Sequence, residues 1–190
     1  MSTNPRELSL LADDEDSGVR FYVAANRHTP LGTKIQLALD PEVTVRSGVA
    51  MSLAYDPLAS STTRTTVTNM AGKLAQDDNV LVRLALAENA RLPEAVFDTL
   101  AVDPDFLVRR KLIDNLDVPQ QVLVLLAADT MGIVSTAALS HRNLPIEVLQ
   151  QMAADSSAIV RRAVCRNVNT PLHLLDAMAA AMRAQMEPRP

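Results

Sequence analysis

The sequence repeats itself with a period of 26 residues, and this repetition constrains the possible folds more than any other feature. The stretch LAVDPDFLVRRKLIDN is closely similar to LALDPEVTVRSGVAMS before it and to MAADSSAIVRRAVCRN after it. Each repeat has one anchor residue, and the anchors are Val19, Val45, Val82, Val108, Val134 and Val160. Only the step from Val45 to Val82 is longer, by 11 residues. A period of this length is typical of small structural units that stack on one another.

Four further columns of residues keep the same period. Five residues before each anchor stands an aspartate: Asp14, Asp40, Asp77, Asp103, Asp129 and Asp155. Directly after the anchor stands an arginine in five of the six repeats: Arg20, Arg46, Arg83, Arg109 and Arg161, with Ser135 in the remaining one. Seven residues after the anchor stands an asparagine or a substitute for it: Asn26, Ser52, Asn89, Asn115, His141 and Asn167. A proline follows four or five residues later in every repeat.

These columns predict two helices in each repeat. We expect the aspartate to be the N-cap of the first helix, where its carboxylate accepts a backbone N–H bond worth about 1 kcal/mol. Apolar residues at the anchor and four and five places later, such as Val108, Leu112 and Ile113, form one helical face. The asparagine is expected to end the helix in the left-handed conformation. The proline then begins a second helix, with Thr29 and Thr170 as expected N-caps.

A single helical pair cannot bury its own apolar face, but a row of pairs can. The sequence therefore predicts an all-α fold, an α-solenoid of about six two-helix repeats that spans residues 4–182 as a single domain. Residues 183–190 are expected to be a C-terminal tail, because Pro188 and Pro190 stop the helix. The insertion, 55–69, is rich in Ser and Thr and is expected to be a loop. Such a loop is either a binding element or a tolerated surface insertion.

The composition agrees with a helical core and gives some exclusions. Hydrophobic residues make up 48% and aromatic residues only 3%, so the core is built from Leu, Val, Ala and Met. The net charge of −4 gives no bulk attraction to nucleic acid or to an anionic membrane. The single cysteine, Cys165, excludes an intrachain disulfide and is expected to be buried in an apolar column. With no apolar run of ~20 residues and no signal-peptide pattern, we expect a cytoplasmic protein.

The phrases VRFYVAAN and VRLALAEN, and VLQQMAAD and VFDTLAVD before the anchors, resemble the leucine-rich repeat variant family. The units of that family read approximately as L-x-x-L-A-x-D, then V-R-x-x-V-A-x-N, then a proline. The resemblance covers about residues 5 to 180. It implies a right-handed superhelix of alternating helices without strands, similar to ARM and HEAT repeats, and no conserved chemistry. The insertion and Ser135 depart from the family pattern, and the last unit lacks the aspartate that would follow it.

The recurring Asp and Arg residues are interpreted as a structural ladder between neighbouring repeats, because a catalytic group is needed once and not six times. Ser135 interrupts the arginine column, which is either drift or the mark of a contact point. His28, His141 and His173 stand in different columns, without metal-ligand spacing. The sequence contains no phosphate-binding glycine loop and no nucleophile elbow. We therefore expect no enzyme activity, no cofactor and no metal site.

Binding residues are expected at variable positions between the columns. The candidates are Glu88 and Asp114 together with Arg110, Arg162 and Arg166, the arginines being expected to face solvent. The sequence favours a non-enzymatic protein–protein interaction scaffold whose partner is another protein. The alternative is a nucleic-acid-binding solenoid that uses an Arg-rich ridge, which the acidic pI and the few aromatic residues make less favourable. No membrane partner is expected.

Overall fold

The computed structural model describes residues 4–89, 91–115 and 117–186, and every regular element in these ranges is an α-helix. The predicted all-α class is therefore confirmed for this part of the chain. The helices are α1 (Pro5–Leu11), α2 (Ser17–Ala24), α3 (Leu31–Leu37), α4 (Val43–Ser52), α5 (Ser61–Leu74), α6 (Val80–Ala87), α7 (Glu94–Ala101), α8 (Phe106–Ile113), α9 (Gln120–Ala127), α10 (Gly132–Leu139), α11 (Ile146–Met152), α12 (Ala158–Arg166) and α13 (Leu172–Met186).

The chain forms two compact units, Met1–Val118 with α1 to α8 and Pro119–Pro190 with α9 to α13. The even-numbered helices carry the anchor residues and are called first helices; the odd-numbered helices are called second helices. In the first unit each first helix packs against the next one, from α2 through α4 and α6 to α8. In the second unit α10 packs against α12 and also against α9. The 26-residue period of the sequence thus reappears as a row of first helices within each unit.

The core consists of the apolar faces that the periodicity predicts. The anchor residues of α4, α6, α8 and α10 are all fully buried. On the second helices the buried face follows the spacing of one helical turn, as Val122, Leu123, Leu126 and Ala127 do in α9. Apart from Phe97 of α7, the buried apolar side chains of the described helices are aliphatic, so neighbouring helices can approach closely.

The first helices begin later than predicted, and the assignment of the aspartates as N-caps is wrong. The N-cap residues are Asp16, Glu42, Asn79, Asp105, Met131 and Ser157. Each column aspartate stands two residues earlier and accepts the N–H of the N-cap residue, as Asp14 accepts that of Asp16 at 2.8 Å. It therefore forms an Asx turn that leads the chain into the helix. Pro41 and Pro104 accordingly precede the N-cap and do not occupy the first helical position.

The second helices also begin differently from the prediction. The proline is itself the N-cap in α3, α7, α9 and α11, with backbone angles near φ −60° and ψ 145°. Thr29 therefore stands one residue too early to cap α3. Its hydroxyl donates instead to the carbonyl of Val23 at 2.6 Å, and Thr170 donates to Val164 at 2.5 Å. Both threonines close the end of the preceding first helix.

The expected left-handed asparagines are absent from the described ranges, where no residue, glycine included, has a positive φ. At the end of α12, for example, Asn167 has φ −68° and ψ 128°. The prediction was wrong because it considered only backbone tolerance. The side chains of Asn89, Asn115 and Asn167 instead form hydrogen bonds to the preceding repeat.

The insertion contains a helix, which corrects the prediction of a loop for 55–69. Helix α5 occupies Ser61–Leu74, and the Ser60 hydroxyl caps it by accepting the N–H of Thr63 at 3.2 Å. The buried residues of α5 are Val67, Met70, Ala71 and Leu74, which share one helical face. This apolar face outweighs the poor helix propensity of the Ser/Thr run. The irregular stretch between α4 and α5 is limited to residues 53–60, and Leu58 within it is 92% exposed.

Two expectations about the end of the chain also differ from the structure. Helix α13 continues to Met186, past the predicted start of the tail at residue 183, and residues 187–190 lie outside the described ranges. Cys165 is exposed, whereas its counterparts Ala87, Ile113 and Leu139 are buried. Cys165 lies on α12, the last first helix within the described ranges. No helix in the described ranges is long and apolar enough to span a membrane.

Candidate functional site

A ladder of arginine–aspartate pairs connects successive repeats in the first unit. Three rungs share one geometry, in which the arginine Nε donates to Oδ2 of the aspartate at 2.7 Å and Nη2 donates to Oδ1 at 3.0–3.1 Å. The rungs join Arg20 to Asp40, Arg46 to Asp77 and Arg83 to Asp103. The planar guanidinium fork is suited to such a two-point contact, which fixes direction as well as distance.

The third guanidinium nitrogen binds the backbone of its own repeat. Nη1 donates to the carbonyl of the column aspartate at 2.6–2.8 Å and to the next carbonyl at 2.9–3.4 Å. Arg109 and Arg161 make these two contacts as well. Each column arginine therefore holds the turn before its own helix, and in the three rungs it also holds the next repeat.

The arginines that bind Asp40 and Asp77 affect the acidity of these two aspartates. Burial by itself would raise the pKa of Asp77, but the hydrogen bond from Arg46, the N–H of Asn79 and the neighbouring arginines hold it below its usual value of 3.8. The same balance, with Arg20 as the donor, lowers the pKa of Asp40. Both carboxylates thus stabilise the fold above the unfolded pKa, and their contribution is lost as the pH falls through the lowered pKa. This is the behaviour of structural ion pairs.

Ser135 changes the ladder in the second unit. Its side chain is buried, and its hydroxyl makes only a long hydrogen bond of 3.4 Å to the carbonyl of Gly132. By the rule of the other rungs, an arginine at this position would reach Asp155 in the next repeat. The Asp155 carboxylate accepts the N–H of Ser157 at 2.7 Å. No cation among the described residues pairs with Asp155.

A second ladder consists of the asparagine column, and sequence reasoning missed it. The buried Asn115 amide donates to the carbonyls of Ala87 and Asn89 in the preceding repeat at 3.2 and 2.6 Å. Its Oδ1 atom accepts the N–H of Asp117 at 3.0 Å. Asn167 makes the same set of bonds in its repeat. Asn89 does so with one difference, since its second acceptor is the carbonyl of Leu53, one residue after the column residue Ser52. An amide suits this position because it donates and accepts at the same time.

Each of the two substitutes in this column makes a bond that belongs to the pattern. Ser52 donates to the carbonyl of Ala24 in the preceding repeat at 2.5 Å. His141 accepts the N–H of Asn143 on its Nδ1 atom at 3.1 Å. The recurrence of Asn, Ser and His in one column was the sequence signal for this ladder, since the side chains of all three can form hydrogen bonds to backbone groups.

Ser52, which replaces the asparagine of this column, is the hydrogen-bond partner of a buried lysine. Four residues after the proline, where other second helices have Phe97, Leu123 and Leu149, helix α3 has Lys34. Lys34 is 5% exposed, and its Nζ donates to the carbonyl and to the hydroxyl of Ser52 at 2.8 and 2.7 Å. Burial lowers the pKa of Lys34 from 10.5 to about 8. The lysine thus binds the carbonyl at a helix end where the asparagine pattern is incomplete.

The predicted partner-binding residues of the first unit are engaged in surface ion pairs. Arg110 pairs with Asp114 one turn later at 2.8 Å, and Lys111 pairs with Glu88 of the neighbouring repeat at 2.6 Å. The Glu88 carboxylate raises the pKa of Lys111. Acid and base therefore alternate on this surface, and the positive charge of Arg110 is locally balanced.

Arg162 and Arg166 lie exposed on α12 in the second unit. Arg162 donates to the carbonyl of Ala158 at 3.3 Å, and no acid among the described residues pairs with either arginine. Because Arg110 belongs to the first unit, the predicted ridge of Arg110, Arg162 and Arg166 is not a feature of either unit alone.

Sequence reasoning also missed an exposed apolar column on the first helices. The residue directly before the anchor is apolar in the last four repeats and is exposed by about half in each: Leu81, Leu107, Ile133 and Ile159. Leu81 and Leu107 lie on the packed helices α6 and α8, and Ile133 and Ile159 lie on the packed helices α10 and α12. The signal was present in the sequence, but the exposure of this position could be judged only from the packing.

Chemical sites are not apparent in the described ranges. No group of three His, Cys, Asp or Glu residues in them could hold a metal ion. An open depression of about 490 Å³ is lined by Pro5, Arg6, Ser9, Leu10 and Pro30, and it contains no acid–base pair. Neither a family model nor a curated protein matches the chain. The two ladders and the exposed apolar column are therefore the basis for assigning a function.

Proposed function

We propose that this protein is a non-enzymatic scaffold that binds another protein through the exposed surface of its first helices. The finer fold belongs to the same proposal: a right-handed solenoid of six repeats of the leucine-rich repeat variant type. The ladders support it, because their rungs join one repeat to the next by a constant geometry. The exposed, free thiol of Cys165 agrees with the expected cytoplasmic setting.

One observation carries the proposed function, namely the surface of α6 and α8. Leu107, Arg110, Lys111 and Asp114 recur at the spacing of one helical face, and Leu81 stands on α6 at the position of Leu107. The surface therefore combines an apolar half with a half that carries the ion pairs of Lys111 and Arg110. Apolar centres with polar surroundings are typical of protein–protein interfaces. The recurring Asp, Arg and Asn residues are meanwhile occupied in holding the repeats together.

The experiment compares partner recovery by matched variants. A tagged protein is incubated with native lysate, crosslinked and isolated, and its partners are quantified by mass spectrometry. The double variant L81D/L107D should lose a defined protein at least tenfold, and E88K, which reverses one charge of the Glu88–Lys111 pair, should weaken it. The control is V102D, which places the same charge on an exposed apolar residue at the end of α7.

The result would contradict the proposal if L81D/L107D and V102D recovered the same proteins in the same amounts. Circular dichroism and urea unfolding should first show that both variants retain the fold. The solenoid itself is tested by small-angle X-ray scattering. A stacked row of six repeats should have a radius of gyration clearly above the ~16 Å of a compact domain of this length.

A second candidate function is nucleic-acid binding, and the exposed arginines of α12 favour it. Arg161 bonds to the carbonyls of Asp155 and Ser156, and Arg162 and Arg166 have no acidic partner among the described residues. A gel-shift titration at low salt decides this point. A shift that disappears in R162E/R166E would support this candidate, and the absence of any shift at low salt would exclude it.

A further inference from the structure

The interrupted rung between Ser135 and Asp155 has the features of a receptor for an arginine from outside the chain. In the three rungs of the first unit, Oδ2 of the aspartate accepts the shortest bond, at 2.7 Å from the arginine Nε. The aspartate Oδ1 accepts the N–H of the N-cap residue, and Asp155 retains this bond with Ser157 at 2.7 Å. The Asx turn of the rung is therefore intact in the second unit, although Ser135 supplies no guanidinium.

We propose that the Asp155 carboxylate binds an arginine side chain of a partner protein, in the position that a column arginine occupies in the other rungs. In those rungs Nη1 also bonds to the carbonyl four residues before the anchor. The equivalent carbonyl here belongs to Thr130. Asp155 and Thr130 thus offer the same kinds of acceptor that the chain uses for its own arginines.

The surroundings indicate what accompanies this arginine. Met131, Ile133 and Ile159 are 41%, 56% and 57% exposed, and they lie at the starts of the packed helices α10 and α12. The two isoleucines belong to the apolar column defined above. The favoured partner segment therefore has an arginine between apolar residues, so that the charge meets Asp155 while its neighbours cover the isoleucines.

Other occupants fit less well. A lysine is a point charge and cannot bridge two divergent acceptors as a planar fork does. A calcium or magnesium ion needs about six oxygen ligands, whereas the rung offers a single carboxylate. No larger group of possible metal ligands occurs in the described ranges.

The test uses the full-length protein and synthetic peptide probes. The probe is Ac-Ala-Leu-Arg-Leu-Ala-amide, and its controls replace the arginine by citrulline, which has nearly the same shape without the charge, or by lysine. Binding is followed through the backbone amide of Ser157, which bonds to Asp155, in two-dimensional NMR spectra. The arginine peptide should shift this signal saturably, and the citrulline peptide should bind at least tenfold more weakly.

Two variants locate the binding. Asp155→Asn retains the oxygen that accepts the Ser157 N–H but removes the charge, and it should abolish the preference for arginine over citrulline. Ser135→Arg supplies the missing arginine from the chain itself. Ser135→Arg should weaken peptide binding at least tenfold and raise the midpoint of thermal unfolding by about 2–4 °C. Ser135→Lys should have a smaller effect on both the binding and the midpoint.

Equal binding of the arginine and citrulline peptides would overturn the proposal, as would a preference that survives in D155N. Stabilisation by S135R without any binding of the arginine peptide would also overturn it. The inference rests on the proposed function only in that the partner is a protein. The peptide titration needs no natural partner and concerns a different unit from Leu81 and Leu107, so failure of either proposal can be recognised separately.

Discussion

Arg83 and Asp103 form a rung in which the guanidinium holds two repeats at once. Nε and Nη2 of Arg83 donate to the Asp103 carboxylate at 2.7 and 3.1 Å, and Nη1 donates to the Asp77 carbonyl at 2.7 Å. The Asp103 side chain is only 2% exposed, so the N–H donors of Arg83 take the place of water at its carboxylate. The sequence repeats a residue pair that serves one mechanical purpose, which is to fix the spacing and direction between neighbouring helices.

The first prediction concerns this rung. Arg83→Gln should lower the free energy of unfolding by about 2 kcal/mol, because it leaves the Asp103 carboxylate buried without a cation. A double-mutant cycle with Asp103→Asn, measured by urea unfolding, isolates the pair. The matched control is Arg110→Gln, which breaks the exposed pair with Asp114 and should cost less than about 0.5 kcal/mol. Equal costs at the two arginines would contradict the structural role of the rung.

The second prediction concerns the asparagine ladder. Asn115→Leu should lower the free energy of unfolding by about 3 kcal/mol, since it deprives two buried carbonyls and one N–H of their partner. Asn115→Ser should be milder, because Ser52 shows that a hydroxyl can still donate to the preceding repeat. Asn69→Ala, on the exposed face of α5, is the control and should have little effect. A destabilisation by Asn115→Leu no larger than that of the control would be inconsistent with the ladder.

The third prediction is a pH dependence due to Lys34. The folded protein releases its proton at about pH 8, whereas the unfolded chain holds it up to about 10.5. Unfolding therefore takes up a proton between these values, and stability should rise with pH in this window, by up to about 3 kcal/mol. Urea unfolding of wild type and Lys34→Met across pH 7 to 11 measures the difference. The rise should be absent in Lys34→Met; a difference between the two proteins that is constant with pH would show that Lys34 is not the responsible group.

The fourth prediction concerns the helix in the insertion. Met70→Ala should cost about 2–4 kcal/mol, because Met70 is buried in the apolar face of α5. Thr65→Ala, on the exposed side, should be neutral or slightly stabilising, since alanine is the better helix former. Hydrogen exchange should also show protected amides within 65–74. Rapid exchange throughout this range would mean that the insertion is a loop, as the sequence suggested.

The fifth prediction concerns the exposed thiol. Cys165 in the folded protein should react with a thiol reagent within about tenfold of its rate in denaturant, because it is accessible without unfolding. The control is Leu139→Cys in the Cys165→Ala background, which places a thiol at the equivalent buried position of the preceding first helix. Its reaction should require unfolding. Similar protection of both thiols would contradict the exposure of Cys165.

The sequence by itself determined the period, the all-α class and the apolar faces. In α4, α6, α8 and α10 the anchor residue and the residues four and five places later are buried together, because a helix of 3.6 residues per turn brings them to one side. It also indicated that the aspartate and arginine columns belong to the architecture, since residue types that recur in nearly every repeat serve the repeat itself. Such conclusions need only local periodicity and the chemistry of the residue types.

Tertiary structure alone decided how the recurring side chains are used. Asp103 looked like an N-cap, yet its carboxylate turns sideways to Arg83 of the preceding repeat, and Asn115 looked like a helix stop, yet it bonds to that repeat. The Ser/Thr run is part of helix α5 because Val67 and Met70, on one face of that helix, are buried in the fold. Cys165 is exposed on α12, although its column is buried at Ala87, Ile113 and Leu139. The residues that Asp103 and Asn115 contact lie in another repeat, 20 and 26 residues earlier in the chain. Local sequence patterns cannot reveal such contacts.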